Sequence, residues 1–179
     1  MKQIESDRLI LRGWKTEDFV DLFEYASDPQ VGINAGNSTI HTFDEAQKIV
    51  ANYILKDRAY AIVLKAENKV IGSIGTDEVA PDETVKHLKQ RYVGFALNPR
   101  YWGNGYATEA TRILIIYLFT QENIELIWIS HFSFNERSKR VIEKCGFEYK
   151  FSKDKIIMVP NYAIVSELFY NLFNPEIRK

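Results

Sequence analysis

Two closely spaced glycines, Gly103 and Gly105, are the clearest sign of chemistry in this sequence. They lie in the segment Arg-Tyr-Trp-Gly-Asn-Gly-Tyr-Ala-Thr at residues 100–108, which follows an apolar run ending at Pro99 and opens a segment with helical spacing. Glycine adopts backbone angles that other residues avoid, so the amide groups of such a loop can point into one small volume. The following helix adds the unpaired N–H groups and the positive dipole end of its first turn. The segment therefore predicts a cradle for a phosphate or pyrophosphate that needs no basic side chain.

Composition and charge restrict the partners of this site. The 179 residues include 23 basic and 24 acidic side chains, a formal net charge of -1 that gives no general attraction for nucleic acid or an anionic membrane. With 46% apolar residues and no Pro/Gly/Ser-rich seam, residues 1–179 are expected to form one domain. The N-terminal residues lack the apolar core of a secretion signal, and no apolar run reaches the roughly 20 residues of a membrane span, so we expect a cytoplasmic location. Cys145 is the only cysteine, which excludes an intramolecular disulfide and a thiolate-rich metal site, and we expect no metal.

Hydrophobic spacing predicts the elements that position the glycine loop. In order, they are a strand (4–14), a helix begun by Thr16 and ended at Asp28-Pro29, a polar loop (30–41), a helix (42–55), strands at 59–66, 70–76 and 92–97, a helix (106–119), a strand (126–131), a helix (135–146), and closing strands at 147–152 and 162–173 joined by a turn around Val159-Pro160-Asn161. Thr42 and Glu45 have the spacing of a capping box. Asn135 and Gly146 are typical of a helix start and a helix end. This order predicts a mixed sheet with helices on both faces.

Two segments in this order resemble the GNAT family of acyl-CoA-dependent N-acetyltransferases. One is Arg100-x-x-Gly103-x-Gly105 after a strand, and the other is Asn135-x-x-Ser138 followed by Glu-Lys-Cys-Gly-Phe at residues 143–147. The opening Asp-Arg-Leu-Ile-Leu-Arg at 7–12 and the segment 94–110 are similar to the RimJ/RimL-like branch, which acetylates protein N-terminal amines and small amines. The resemblance implies an α/β fold with α/β/α layers and a mixed, mostly antiparallel sheet of about seven strands. Its fourth and fifth strands, predicted here at 92–97 and 126–131, would splay apart.

The resemblance also implies acetyl-CoA, or coenzyme A, as the cosubstrate. Its pantetheine arm would lie in the gap between the splayed strands, and its pyrophosphate would bind the glycine loop, in agreement with the phosphate cradle. The implied cofactor-binding residues are Phe95, Ala96, Leu97, Arg100, Tyr101, Trp102, Gly103, Asn104, Gly105, Tyr106, Ala107, Asn135 and Ser138. Arg100 is equally compatible with a solvated loop charge, and Tyr101 and Trp102 with packing beside a helix start.

Acyl transfer to an amine needs a neutral nucleophile, a stabilised oxyanion and a proton for the departing thiolate. A backbone N–H of Phe95 or Ala96 is the expected oxyanion donor. Many GNAT proteins supply the proton from a tyrosine seven residues after the helix asparagine, where this chain has Ile142, whereas the RimL-like branch uses a serine that matches Ser138. Ser138 is therefore the predicted proton donor or thiolate stabiliser, with local bonding in the first helical turn as the alternative.

The general base is where the sequence departs from its relatives. A glutamate is frequent two residues before the Gly-Phe pair, and this chain has Tyr92 there. His131, which ends the fifth predicted strand and has a suitable intrinsic pKa, is the first candidate for the base. Other candidates lie in the polar connection before Tyr92, namely Asp77, Glu78, Asp82, Glu83 and His87. Proton loss to water, or an amine that is already neutral, is a further alternative.

The predicted function is N-acetylation of a primary amine by direct transfer in a ternary complex. The loop at 32–40 and the connection at 77–90 are expected to face the acceptor, which is a small-molecule amine or a peptide N-terminus. A coenzyme A-binding sensor without efficient catalysis is the alternative, because Tyr92 replaces the acid. An unrelated dinucleotide-binding module is disfavoured, since the loop lacks the full Gly-x-Gly-x-x-Gly spacing. The sequence leaves both a monomer and a homodimer open.

Overall fold

A single β-sheet forms the centre of the fold. The computed structural model describes residues 1–36, 38–157 and 163–176. Its strands are β1 (Ile4–Glu5), β2 (Leu9–Arg12), β3 (Ala59–Leu64), β4 (Lys69–Asp77), β5 (Gln90–Leu97), β6 (Leu126–Phe132), β7 (Glu148–Ile157) and β8 (Ala163–Phe173). Within these ranges the eight strands lie in the order β1-β2-β3-β4-β5-β6-β8-β7, and every neighbouring pair is antiparallel except the parallel pair of β5 and β6.

Helices cover both faces of the sheet, as the sequence predicts. They are α1 (Phe19–Ala26), α2 (Pro29–Ala35), α3 (Phe43–Lys56), α4 (Tyr106–Thr120) and α5 (Glu136–Lys144). Leu114 of α4 and Ile142 of α5 pack on one face, whereas Leu22 of α1 and Val50 of α3 pack on the other. All of β3 is buried because residues on both of its faces meet a helical layer, which explains its uninterrupted apolar sequence. None of the described helices has the length and apolar character needed to cross a bilayer.

Local capping signals fix the helix boundaries. Thr42 and Glu45 form the expected capping box at the start of α3. The side chain of Asn135 accepts a hydrogen bond from the Ser138 N–H at 3.1 Å and begins α5. Gly146 follows α5 with a φ of +83°, a left-handed conformation that glycine adopts without steric cost. These predictions are confirmed.

Two parts of the N-terminal half differ from the sequence prediction. The predicted first strand is split into β1 and β2 by a turn in which the Ser6 N–H bonds the Leu9 carbonyl, so the described residues form eight strands, in agreement with the predicted sheet of about seven. The predicted loop at 30–41 contains α2, because Asp28 accepts from the Gln30 N–H at 2.8 Å and Pro29 occupies the first helical position. Asp28-Pro29 therefore begins α2 as well as ending α1. Proline is common at the first position of a helix, because its missing N–H would have no intrahelical partner there. The predicted turn at 159–161 and the first residue of the last predicted strand, Tyr162, lie outside the described residues.

The parallel strands β5 and β6 separate after only a short paired stretch. Their pairing runs from Gln90 opposite Leu126 to Val93 opposite Ile129. Beyond it, β5 continues to Leu97 bonded to β4, whereas β6 continues to Phe132 bonded to β8. This is the predicted splay of the fourth and fifth strands, which are β5 and β6 in the structure.

The start of α4 is anchored to the N-terminal strands through one carboxylate. Glu109 accepts hydrogen bonds from the Ser6 hydroxyl at 2.7 Å and from Arg8 Nε at 2.7 Å. Arg8 also donates from Nη1 to the Asn104 carbonyl at 3.1 Å, and its guanidinium lies 4.5 Å from the centre of the Tyr106 ring. Burial raises the pKa of Glu109, but the hydrogen bonds from Ser6 and Arg8 outweigh it, and the net pKa is lowered. The glycine loop is thus held from the turn between β1 and β2.

Replacing Gly72 tests the close approach of β4 to β5. A Cβ at Gly72 would stand 2.3 Å from the Ala96 carbonyl oxygen, a backbone atom that cannot move away without distorting β5. We expect Gly72→Ala to lower the free energy of unfolding by about 1–3 kcal/mol, in the range of overpacked sites. Gly13→Ala is the matched control, because a Cβ at Gly13 meets no atom within 4 Å. Urea denaturation of both variants measures the difference, and equal midpoints would contradict the packing argument.

Replacing Glu109 tests the anchor of the loop. We expect Glu109→Gln to lower the free energy of unfolding near neutral pH by about 1–2 kcal/mol. The ion pair with Arg8 is lost, and an amide NH2, which cannot accept, replaces one of the two carboxylate oxygens that accept from Ser6 and Arg8. The folded-state pKa of Glu109 lies below its ordinary value of 4.5, so its stabilisation is present above pH 4.5 and is lost as the pH falls through the folded-state pKa. The gap between wild type and variant is expected to close at acid pH in denaturation series. The exposed Glu143→Gln serves as the control, and a gap that does not depend on pH would contradict this account.

Candidate active site

Two cavities meet where β5 and β6 separate. The first, here called the loop cavity, has a volume of about 370 Å³ and is lined by the glycine loop and by one face of α5. The second, here called the sheet cavity, has a volume of about 500 Å³ and is lined by α3, by the strands β3 to β6 and by one residue each of β7 and β8. Both cavities are lined by Asn34, Ala35, Phe95, Ala96, Asn135 and Ser138. A molecule bound in the loop cavity can therefore present a reactive group to a second molecule in the sheet cavity.

The glycine loop has the backbone geometry that the sequence predicts. Gly103 and Gly105 both have a φ of +81°, in the left-handed region that other residues rarely occupy. Gly105 precedes α4 and has no side chain to cap it, so no side-chain cap occupies the first-turn N–H groups. Tyr106, Ala107 and Thr108 of that turn line the loop cavity. The loop is thus suited to an anionic group, because a helix N-terminus attracts negative charge.

The two aromatic residues of the loop both line the cavity and pack against its frame. The Trp102 indole N–H donates to the Leu97 carbonyl at 2.8 Å, and the Arg137 guanidinium lies 4.4 Å from the centre of its ring. The Tyr101 hydroxyl donates to Glu67, and this hydrogen bond, assisted by burial, raises the pKa of Tyr101 to about 12. Trp102 therefore joins the end of β5 to α5, while Tyr101 stays protonated at neutral pH.

Eleven of the thirteen predicted cofactor-binding residues line the loop cavity, and two do not. The Arg100 guanidinium forms an ion pair with Glu24 at 3.1 Å, on the outside of the loop. The Asn104 side chain donates to the carbonyls of Tyr101 and Trp102, which stabilises the loop rather than lining the cavity. The side chains of Arg100 and Asn104 therefore do not line the loop cavity, and their place among the cofactor-binding residues stays a prediction that depends on the loop backbone.

Basic residues from α5 line the loop cavity instead. Arg137, Arg140 and Lys144 recur at intervals of three and four residues and so share one helix face. Lys139 lies off this face and pairs with Glu136 at 3.9 Å. Arg137 and Lys144 lie three residues before and four residues after Arg140, and this helical spacing is the sequence signal that could have identified all three as one basic face.

Asn135 and Ser138 lie at the junction of the two cavities. Asn135 is buried, and its amide donates to the Asn34 carbonyl at 3.2 Å, so α2 is held against the start of α5. Within the described part of the chain, the Ser138 hydroxyl forms no hydrogen bond. The alternative of local bonding in the first helical turn is thus not realised, and the hydroxyl is free to meet a bound molecule.

His131 lines the sheet cavity, but both of its ring nitrogens are already engaged. Nδ1 lies 2.8 Å from the Phe132 carbonyl and Nε2 lies 3.1 Å from the Tyr170 hydroxyl. Because a carbonyl can only accept, Nδ1 carries the proton and Nε2 accepts from Tyr170. This arrangement argues against His131 as the group that removes a proton from an amine, since no ring lone pair is free. Among the other predicted candidates, Asp77 lines the sheet cavity, whereas Glu78, Asp82, Glu83 and His87 do not.

A carboxylate that the sequence prediction missed lies beside Tyr92. The Ser130 hydroxyl donates to Glu167 Oε1 at 2.5 Å and hydrogen bonds the Tyr92 hydroxyl. Burial, the largest effect, raises the pKa of Tyr92 to about 12, so Tyr92 is a neutral donor. Tyr92, Ser130 and Glu167, here called the Tyr92 cluster, all line the sheet cavity. An acid inside the apolar run Ile-Val-Ser-Glu-Leu-Phe of β8 was the signal that could have found it.

Known proteins share both this sequence pattern and this fold. Residues 8–148 match the sequence profile of a family described as acetyltransferase (GNAT) domain. The uncharacterized N-acetyltransferase YoaA of Bacillus subtilis is 26% identical over 150 residues, which cover 81% of this chain and 82% of that protein. A GNAT-family acetyltransferase from Bacillus anthracis superimposes with a TM-score of 0.84 at 24% identity, over 97% of this chain and 99% of that one. Spermidine N-acetyltransferase from Vibrio cholerae, solved with CoA and spermine, gives a TM-score of 0.77 at 15% identity, over 97% and 100%.

The family match spans most of the chain and includes the glycine loop, the separated strands and α5. The chain therefore belongs to the GNAT family of N-acetyltransferases.

Proposed function

We propose that the protein moves an acetyl group from acetyl-CoA to a primary amine by direct transfer in a ternary complex. The observation that carries this proposal is the meeting of the loop cavity and the sheet cavity at Phe95, Ala96, Asn135 and Ser138. Donor and acceptor would enter from opposite sides and meet between β5 and β6. A covalent acetyl-enzyme would not be needed, because the two cavities share lining residues at which both reactants would meet.

Three features of the loop cavity fit acetyl-CoA. The uncapped first turn of α4 would bind the pyrophosphate through backbone N–H groups. Arg137, Arg140 and Lys144 would face further phosphate charge. Beyond Val93, the edge of β5 that faces away from β4 has no strand paired to it among the described residues, so the amide groups of the pantetheine arm could bond there as an added strand would. The CoA complex of the Vibrio cholerae relative supports the same cosubstrate.

Two groups at the junction would act on the thioester. A backbone N–H of Phe95 or Ala96 would stabilise the oxyanion, because both residues line the junction at the open edge of β5. Ser138 would give a proton to the departing thiolate through its free hydroxyl. No metal enters this chemistry.

The acceptor in this proposal is a small-molecule amine or a peptide N-terminus. The residues at 7–12 and 94–110 support a place in the RimJ/RimL-like branch, whose members use such acceptors. We further propose that residues 1–179 act as one domain in the cytoplasm, as a monomer or a homodimer. The alternative function is a coenzyme A-binding protein without efficient catalysis. Measuring amine turnover, as in the Ser138 experiment below, distinguishes it from an acetyltransferase.

Acetyl-CoA binding can be tested at one loop position with a closely matched control. Gly105→Ala and Gly146→Ala carry similar backbone strain, since their φ values are +81° and +83°, and neither new methyl group would clash. Of these two glycines, Gly105 lines the loop cavity and Gly146 does not. We expect Gly105→Ala to weaken acetyl-CoA binding about tenfold, or about 1.4 kcal/mol, as the amides turn away from the phosphate. Isothermal titration calorimetry is the measurement, and equal affinities for the two variants would contradict the phosphate cradle.

Catalysis can be tested at Ser138. We expect Ser138→Ala to lower kcat about 100-fold, as loss of a positioned proton donor does, and to leave the KM for acetyl-CoA unchanged. Ser133→Ala is the control, because Ser133 is exposed and lines neither cavity. Coenzyme A release with a panel of amines is the readout. Tight binding of acetyl-CoA without turnover of any amine by the wild type would favour the sensor, and full activity of Ser138→Ala would refute the proton-donor role.

A further inference from the structure

We propose that Glu167 binds the ammonium group of the acceptor and removes its proton, an inference that rests on the acetyl-transfer function proposed above. The sequence has Tyr92 where related chains carry an acid, and the structure brings a carboxylate to the hydroxyl of that tyrosine from another strand. Tyr92 and Glu167 are 75 positions apart in the chain, and their side-chain oxygens lie 3.4 Å apart.

The Tyr92 cluster lies at the point where β5 and β6 begin to separate. Tyr92 is opposite Trp128, one residue before the last paired position, and Ser130 is one residue beyond it on β6. Glu167 lies on the neighbouring strand β8, opposite Phe132 of β6. Ser138 and Phe95 line the same cavity. The carboxylate thus belongs to the cavity where acceptor and thioester would meet.

Its hydrogen bonds hold Glu167 in place and leave it able to bind a cation. Oε1 accepts from Ser130 and is near the Tyr92 hydroxyl, which as a neutral phenol donates and does not compete for protons. Oε2 is 3.4 Å from Lys155 Nζ. The Glu167 side chain is only 14% exposed, so the carboxylate is fixed while it faces the sheet cavity.

Lys155 marks where an ammonium group would bind. Its side chain is 55% exposed, and its Nζ reaches Glu167 along the wall of the sheet cavity. A primary ammonium on a flexible chain thus already occupies the position that the proposal assigns to the acceptor. Because the Lys155 end of this pair is solvated and its Nζ is 3.4 Å from Oε2, the pair contributes little stability, and an acceptor amine can displace Lys155. Lys155 is then a competitor for Glu167.

The proposed step balances in atoms and charge. The acceptor ammonium gives one proton to the Glu167 carboxylate, and the nitrogen lone pair forms the C–N bond at the thioester carbon. The C–S bond breaks with its electron pair on sulfur, and the thiolate takes a proton from Ser138. The second proton leaving nitrogen restores Ser138 through water, and Glu167 returns its proton to solvent. The products are an amide, a thiol and one proton.

Two variants, each with a matched control, test this assignment. Coenzyme A release is the readout, and the probe amines are spermidine, a peptide with a free N-terminal alanine and kanamycin. We expect Glu167→Gln to lower kcat/KM for the amine about 100-fold and to leave acetyl-CoA affinity unchanged. Asp154→Asn, an acid-to-amide change on β7 of the same hairpin and outside both cavities, is the control. We expect Lys155→Met to lower the KM for the amine roughly threefold, because a competing cation is removed. Lys150→Met, which breaks a pair with Glu148 on the same strand, is its control.

The outcomes separate this inference from the function on which it rests. Acetyl-CoA binding without turnover of any probe by the wild type would remove the acetyl-transfer function, and the role of Glu167 with it. Turnover by the wild type with undiminished turnover by Glu167→Gln would overturn the Glu167 assignment alone, and a large loss in Asp77→Asn instead would move the role to Asp77. If Glu167→Gln fails to fold, the KM of Lys155→Met for the amine tests the assignment instead. A lower KM supports binding of the acceptor at Glu167, whereas an unchanged or higher KM means that the carboxylate has only a structural role.

Discussion

The separation of β5 from β6 is the constraint on which the rest of the structure depends. Only the positions from Gln90 to Val93 pair with β6, after which β5 follows β4 and β6 follows β8. Among the residues that the structure describes, no strand pairs with the two facing edges there, and backbone donors and acceptors inside a protein need partners. An extended molecule with its own amide groups can supply them, so the opening in the sheet acts both as a path into the fold and as a binding edge.

The glycine loop is rigid because three elements hold it. Arg8, in the turn just before β2, contacts the Asn104 carbonyl and the Tyr106 ring, and the Trp102 indole N–H bonds the last residue of β5. Arg137 of α5 packs on the other side of Trp102. A loop ordered before binding loses less conformational entropy when a phosphate arrives, which favours affinity. The same contacts connect the phosphate end of the loop cavity to the junction with the sheet cavity.

The acceptor side is built differently, from a polar cluster set into apolar surroundings. Trp128 and Phe169 form part of a small buried core on this face. Beside it the Ser130 hydroxyl donates to Glu167 and hydrogen bonds the Tyr92 hydroxyl. Buried polar networks of this kind are stable only when their members are hydrogen-bonded, and they then hold a side chain in one position. The hairpin of β7 and β8 therefore shapes the site, because it carries both Glu167 and Lys155.

The sequence by itself determined the features that depend on neighbours in the chain. The positive φ of Gly103 and Gly105, the capping box of Thr42 and Glu45, and the cap at Asn135 are local, so composition and spacing were enough to predict them. Hydrophobic period gave most of the strands and helices, and only the reading of Asp28-Pro29 as an end concealed α2. The tertiary structure decided what depends on register and on partners distant in sequence. Alternation says which face a strand residue occupies, but not which residue of another strand it meets. For this reason Glu167 beside Tyr92, the occupied nitrogens of His131, and the choice of Arg137 over Arg100 at the loop cavity became visible only in the folded chain.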